Sequence, residues 1–382
     1  MGHYIKSIVC LIATLCTGAA FAQVTSSQTD ASSAASSSPV AYVYVTSAPT
    51  SSTGQINGYS AATNGALTAI PGSPFQDNVS YMAVNGAWLF GVANQYTAID
   101  SFSIATNGSL ALKDTYTVTS PGPGVINLFL DHTGATLYAD FYTTNNDYLS
   151  YSINQSTGKL TPVNDLAGGP ANFTPLSFIG NNQYAYSSSC YHFGPDIFGV
   201  HRNSDGSLGW LSLNPPYPTP PSGDFYCPFL AAADPTNHLV VAVVPLNGNW
   251  VQQGPYQLAT YTVDSSGNLT TTSTSSNMPK VAVGTVTGYW MSPDGKYLAV
   301  GGTSGLQIFH FNGANPITKY TGQLITNQVD QMFWDKASHL YAISRKAGKL
   351  YVFTVTSTSV TQAPGSPHTI TNPQNIIVLP KT

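Results

Sequence analysis

The side chains that could do chemistry in this sequence are few and widely spaced. The densest group is Cys190-Tyr191-His192-Phe193-Gly194-Pro195-Asp196, which brings an imidazole and a carboxylate into one loop. His192 and Asp196 could handle protons, and a guanidinium could hold developing negative charge. The chain has two arginines, Arg202 and Arg345. His192, Asp196 and Arg345 are therefore the catalytic candidates. A second loop, from Leu246 to Tyr256, sets Trp250 and Tyr256 among Asn and Gln residues. Exposed rings of this kind stack on a sugar and amides bond its hydroxyls, although the same rings could pack the loop onto the body of the protein. Asp77, Tyr191, Asp224 and Asp330 join Trp250 and Tyr256 as ligand-binding candidates, with Asp147 as a further carboxylate. No two histidines have metal-ligand spacing, so neither a metal nor a cofactor is expected. The sequence also lacks a Gly-x-Ser-x-Gly elbow, which argues against a serine triad.

Composition narrows the partners. Of 382 residues, 12 are Lys or Arg and 16 are acidic, 7% in all, and every acid is Asp. Average soluble domains carry about 25%. Exposed helix faces draw on Glu, Lys and Arg, so a mainly helical protein is excluded. Two arginines make no phosphate-binding surface, and nucleic acid is not expected as a partner. With 42% hydrophobic and 12% aromatic residues, the chain is not disordered.

The first 22 residues read as a secretory signal peptide. Lys6 precedes an apolar run at 8–13, and Ala20-Phe21-Ala22 offers a cleavage site after Ala22. Residues 23–39 form a Ser/Ala/Thr linker, and residues 40–382 form the folded part. No later apolar stretch is long enough for a transmembrane segment. A secreted, periplasmic or cell-surface monomer is expected.

The elements that position the candidates come from a repeat. Ala41-Tyr42-Val43-Tyr44-Val45 is echoed at Trp88–Val92, Leu137–Ala139, Tyr184–Tyr186, Leu239–Ala242, Tyr297–Val300 and Leu340–Ile343. A turn follows about 20 residues later in most copies, as in Thr63-Asn64-Gly65-Ala66-Leu67, Thr106-Asn107-Gly108-Ser109-Leu110 and Ser204-Asp205-Gly206-Ser207-Leu208. Four strands per repeat and seven repeats predict an all-β, seven-bladed β-propeller. Its last strand, Asn375 to Leu379, completes the blade begun at residue 41 and closes the ring. Loops between second and third strands share one face with the loops between blades. That channel mouth is where a small molecule, glycan or protein partner is expected. His132, His238 and His339 fall on the opposite face, where a solvated or capping role is expected.

The pattern resembles the seven-bladed lactonase-type propellers (6-phosphogluconolactonase-like) and the related YVTN-repeat surface proteins. The resemblance rests on Tyr42-Val43-Tyr44-Val45-Thr46, Asn64 to Thr68, Pro71-Gly72-Ser73-Pro74-Phe75 and Ser292-Pro293-Asp294-Gly295-Lys296-Tyr297-Leu298. It implies a site built from a His in a Pro-His segment, a Glu and arginines. Here the corresponding stretch is Ser120-Pro121-Gly122-Pro123-Gly124-Val125, and Glu is absent. The reading is therefore an exported binding or interaction module. The alternative is a lactonase or related hydrolase acting on a sugar lactone or glycan. Cys190 and Cys227 remain after signal cleavage, map to one face on adjacent blades, and are expected to form a disulfide in an oxidising compartment. Two unpaired buried thiols are the other possibility.

Overall fold

Some strands of this protein are buried at every residue. All six residues of Trp88–Ala93 and all six of His339–Ser344 are buried. A strand covered on both faces needs a continuous apolar run rather than an alternating one. In the computed structural model these are second strands of four-stranded antiparallel sheets, flanked on each side by a neighbouring sheet. The structure describes residues 38–50, 53–93, 95–119, 124–142, 146–169, 175–190, 196–221, 223–314 and 316–381, and among these there is no helix.

Seven sheets form the ring. The second blade shows the plan, a meander of Met82–Val84, Trp88–Ala93, Ala98–Ile104 and Leu110–Thr117. Burial falls outward, and the last of these strands is mostly exposed. The seventh blade adds a short extra strand, His368–Thr369, beside its third strand Lys349–Val355. The first blade takes its innermost strand, Pro373–Pro380, from the far end of the chain. It pairs antiparallel with Ala41–Thr50, with Val43 opposite Val378 and Tyr44 opposite Ile377. Ile376 and Val378 are buried in that seam. The expected closure is present, and it covers the inner edge that Ala41–Thr50 would otherwise leave unpaired.

Tyrosine ties neighbouring blades together. The hydroxyl of Tyr44 donates to the Gly108 carbonyl of the next blade at 2.7 Å. Tyr138 does the same to Gly206 at 2.9 Å, and Tyr186 to Gly267 at 2.7 Å. Trp88 Nε1 reaches the Gln155 carbonyl at 3.0 Å in the equivalent place. Each acceptor lies in a third-to-fourth-strand turn. Gly108 has φ of +86° and Gly206 of +92°, which side chains rarely adopt, and a side chain of the donor's blade sits directly on each glycine, the Tyr42 ring on Gly108 and Thr136 on Gly206. The turn glycines recognised in the sequence thus do two things at once. They bend the chain, and they admit a side chain from the adjoining blade, the Tyr42 ring at Gly108 and Thr136 at Gly206.

The face opposite the long loops is pinned by aspartates in the turns between inner and second strands. Asp335 Oδ2 accepts from Tyr341 Oη at 2.8 Å and pairs with His339 Nδ1 at 2.8 Å, while its Oδ1 accepts from the His339 amide. His339 is 1% exposed, so of the solvated or capping role expected for it the capping one applies. Asp234 holds His238 similarly at 3.0 Å. Arg202 pairs with Asp131 of the adjoining blade at 2.6 Å, which directs it away from the channel mouth.

Candidate functional site

A central cavity of about 530 Å³ runs along the axis, and the innermost strands of all seven blades contribute to its wall. Its polar end is set by the seventh blade. Asp330 stands immediately before the inner strand Gln331–Trp334, and Arg345 follows the second strand His339–Ser344. Both therefore belong to the end where inner strands begin. Asp330 Oδ2 accepts the main-chain N–H of Arg345 at 2.7 Å, and Oδ1 accepts from Gln328 Nε2 at 2.8 Å. Arg345 Nε donates to the carbonyl of Gln374 at 2.8 Å, just ahead of Asn375 on the clasp strand. The guanidinium is thus fixed through one nitrogen while its side chain stays exposed and lines the cavity.

Tyr81, Asn127, Thr287, Gln331 and Asn375 line the same cavity. Burial pushes the Tyr81 hydroxyl above its ordinary value, neighbouring Tyr96 pushes it the same way, and Arg345 draws it back. The phenol remains protonated at neutral pH and can donate a hydrogen bond or a proton. The arrangement offers a cation for an oxyanion, a carboxylate, and a protonated phenol.

The sequence candidates divide sharply here. Asp330 and Arg345 come together on the cavity. Asp77 does not. It lies with Asn78, Ala93, Gln95 and Asp100 around a separate cavity of about 440 Å³, where burial first and then Asp100 raise its pKa. Asp224 starts the inner strand Asp224–Ala233 and is not on the channel wall. Asp196 begins the third strand Asp196–Arg202, its carboxyl pushed up by burial, and it too is off the wall. Asp147 lies in the third strand Asn146–Ile153, opposite Phe141. His192 and Tyr191 lie outside the described residues.

Trp250 is 51% exposed at a loop tip, with φ of +62° and its ring edge-on to Phe225 at 5.1 Å. Tyr256, paired with it in the sequence reading, is instead buried against Phe229 at 5.4 Å and cannot stack on a surface sugar. It anchors its loop, and Trp250 and Val251 protrude from the tip. His368 sits by Tyr59 on the outer part of the seventh blade. Cys190 and Cys227 are joined in a disulfide, with Cα atoms 5.3 Å apart.

Sequence reasoning missed Tyr81, Thr287, Trp290, Gln331 and Phe333. They belong to short inner strands such as Met82–Val84 and Gln331–Trp334, too brief for a periodic signal. The available cue was position, since each stands a few residues ahead of a recognisable second strand.

Comparison with solved structures now places the fold. A periplasmic gluconolactonase of Pseudomonas aeruginosa matches with a TM-score of 0.64 and 15% identity, over 89% of this chain and 99% of that one. A protein from Lactobacillus plantarum matches at 0.65 and 16%, over 89% and 99%. The chain has the fold of the lactonase-like seven-bladed propellers. The Kuenenia stuttgartiensis hydrazine synthase also matches, at 0.55 and 12% identity over 89% of this chain and 100% of that one, so the architecture serves more than one chemistry. No protein-family model matches the sequence, and no curated protein is similar to it.

Proposed function

We propose that the chain is an exported hydrolase of an uncharged lactone, acting where Arg345 and Asp330 meet the channel. The observation that carries this reading is the single guanidinium set by Asp330 and Gln374 on a cavity wall that holds no other Lys or Arg among its described residues. One cation suits a carbonyl that becomes an oxyanion. A phosphorylated substrate would draw on several. Arg345 would stabilise the oxyanion, Asp330 would orient or deprotonate water, and Tyr81 would protonate the departing alkoxide. The shared fold with a periplasmic gluconolactonase supports the hydrolase over the binding module favoured by sequence alone. The disulfide supports export, with a signal peptide cleaved after Ala22.

The test is proton release by the purified mature protein on neutral lactones such as glucono-δ-lactone, set against their phosphorylated counterparts. Turnover of the neutral series, lost in Arg345→Ala, is expected. Equal or faster turnover of the phosphorylated series would overturn the reading. A binding module remains the second reading, favoured by the aromatic lining deeper in the cavity. It predicts ligand affinity without turnover.

A further inference from the structure

Below its polar end the cavity changes character. Trp290, in the inner strand Val286–Met291 of the sixth blade, is 38% exposed although it lies in the middle of the molecule. Its ring is 4.2 Å from that of Phe333 on the next blade, and both line the cavity. The strand is irregular between Val286 and Gly288, opposite Gly302 and Gly301, and such bulges re-aim side chains. Gly288, two residues before Trp290 and so on the same strand face, gives its place to Met332, whose Cε stands 3.0 Å from where a Cβ would be. On the other flank the fifth blade offers Ala231 and Ala233 to the same wall. The two aromatic rings, with Ala231 and Ala233 on the same cavity wall, form a slot bare of Lys, Arg and Asp. Phe333 stands three residues beyond Asp330, which is roughly 10 Å along a strand.

From this juxtaposition, and resting on the lactone reading above, we infer that the substrate carries a flat, uncharged, aromatic or similarly apolar substituent. That group occupies the slot beside Trp290 and Phe333 while the lactone carbonyl meets Arg345. A monosaccharide lactone held at Arg345 would not reach rings roughly 10 Å further along the strand. Ligand pockets of this size typically combine an apolar wall with a few convergent polar groups, which is the division seen here.

The experiment compares γ-butyrolactone with γ-phenyl-γ-butyrolactone, and adds the phenyl-substituted lactam, which has the same shape and is not hydrolysed. Burying a phenyl ring should raise kcat/KM about 10- to 100-fold over the unsubstituted lactone. The lactam should bind and quench tryptophan fluorescence. Ala231→Leu, which fills the slot without removing a contact, and Trp290→Ala should each abolish both the preference and lactam binding. Circular dichroism melts confirm that the variants are folded. The inference is overturned if the wild type shows no phenyl preference and no lactam binding, or if both survive Ala231→Leu. Lactam binding that Ala231→Leu abolishes, with neither lactone turned over, would uphold the slot and sink the hydrolase reading instead.

Discussion

Arg345 gives its main-chain N–H to Asp330 Oδ2 at 2.7 Å, so the residue that closes one loop of the seventh blade is registered on the start of that blade's inner strand. The carboxylate fixes the backbone from which the guanidinium projects. Asp330→Ala should therefore cost activity without unfolding the ring. Loss of one well-placed oxyanion donor lowers kcat about 100- to 1000-fold, and a misplaced Arg345 should fall at or somewhat below that range. Asp330→Asn keeps an acceptor for the Arg345 amide and should retain more activity than Asp330→Ala. Steady-state kinetics alongside thermal melts separate the two effects, and a large drop in Tm for Asp330→Ala would assign the residue to the fold instead.

The blade-to-blade tyrosines predict a clear contrast among glycines. A Cβ on Gly108 would come within 2.8 Å of the Tyr42 ring, at a φ that disfavours any side chain, whereas a Cβ on Gly86 meets nothing within 4 Å. Gly108→Ala should destabilise by about 1–3 kcal/mol. Gly86→Ala should be close to neutral. Tyr44→Phe leaves the Gly108 carbonyl without its buried donor and should cost on the order of 1 kcal/mol. Urea denaturation measures all three, and equal effects of the two glycine variants would refute this view of the turns.

The disulfide closes a span of 37 residues between adjacent blades. On the chain-entropy model a loop of that length contributes about 3–4 kcal/mol. Cys190→Ser/Cys227→Ser should lower stability by that order, read from denaturant midpoints at unchanged slope. A shift below about 1 kcal/mol would mean that the loops are already held by their other contacts.

His368 gives the fold a pH dependence on the acid side. Burial depresses its pKa, and Nε2 is buried with no hydrogen-bond partner. The unfolded chain then binds the proton more readily than the folded one, so stability is intact above about pH 6.5 and falls as the pH drops towards the folded value. His368→Gln should flatten the fall in Tm between pH 7 and 5. An unchanged profile would place the titration elsewhere.

Much of the ring was legible because its signals are local. The second strands, fully buried on both faces, announce themselves as apolar runs, and the Asn-Gly and Asp-Gly turns mark the third-to-fourth joints. Even the clasp could be read, since Asn375 to Leu379 is an apolar run with no partner of its own repeat. The site was half legible. Asp330 and Arg345 were singled out as a rare acid and a rarer arginine, yet nothing in the chain said that one holds the other. Asp77 and Tyr256 looked alike in a linear reading, but one faces a separate cavity and the other turns inward, and only the packing of Phe229 and Asp100 decides that. Trp290 was hidden because a tryptophan in a strand reads as core. Its exposure goes with a bulge in the pairing of its strand, which acts through the neighbouring strand.

The central claim is that Arg345 performs catalysis at the channel mouth. Its most direct test is the hydrolysis rate of neutral lactones by wild type and Arg345→Ala, measured on folded mature protein of matched Tm. The account predicts enzymatic turnover in the wild type and a loss of at least about 100-fold in the variant. Turnover that persists undiminished in Arg345→Ala would contradict it.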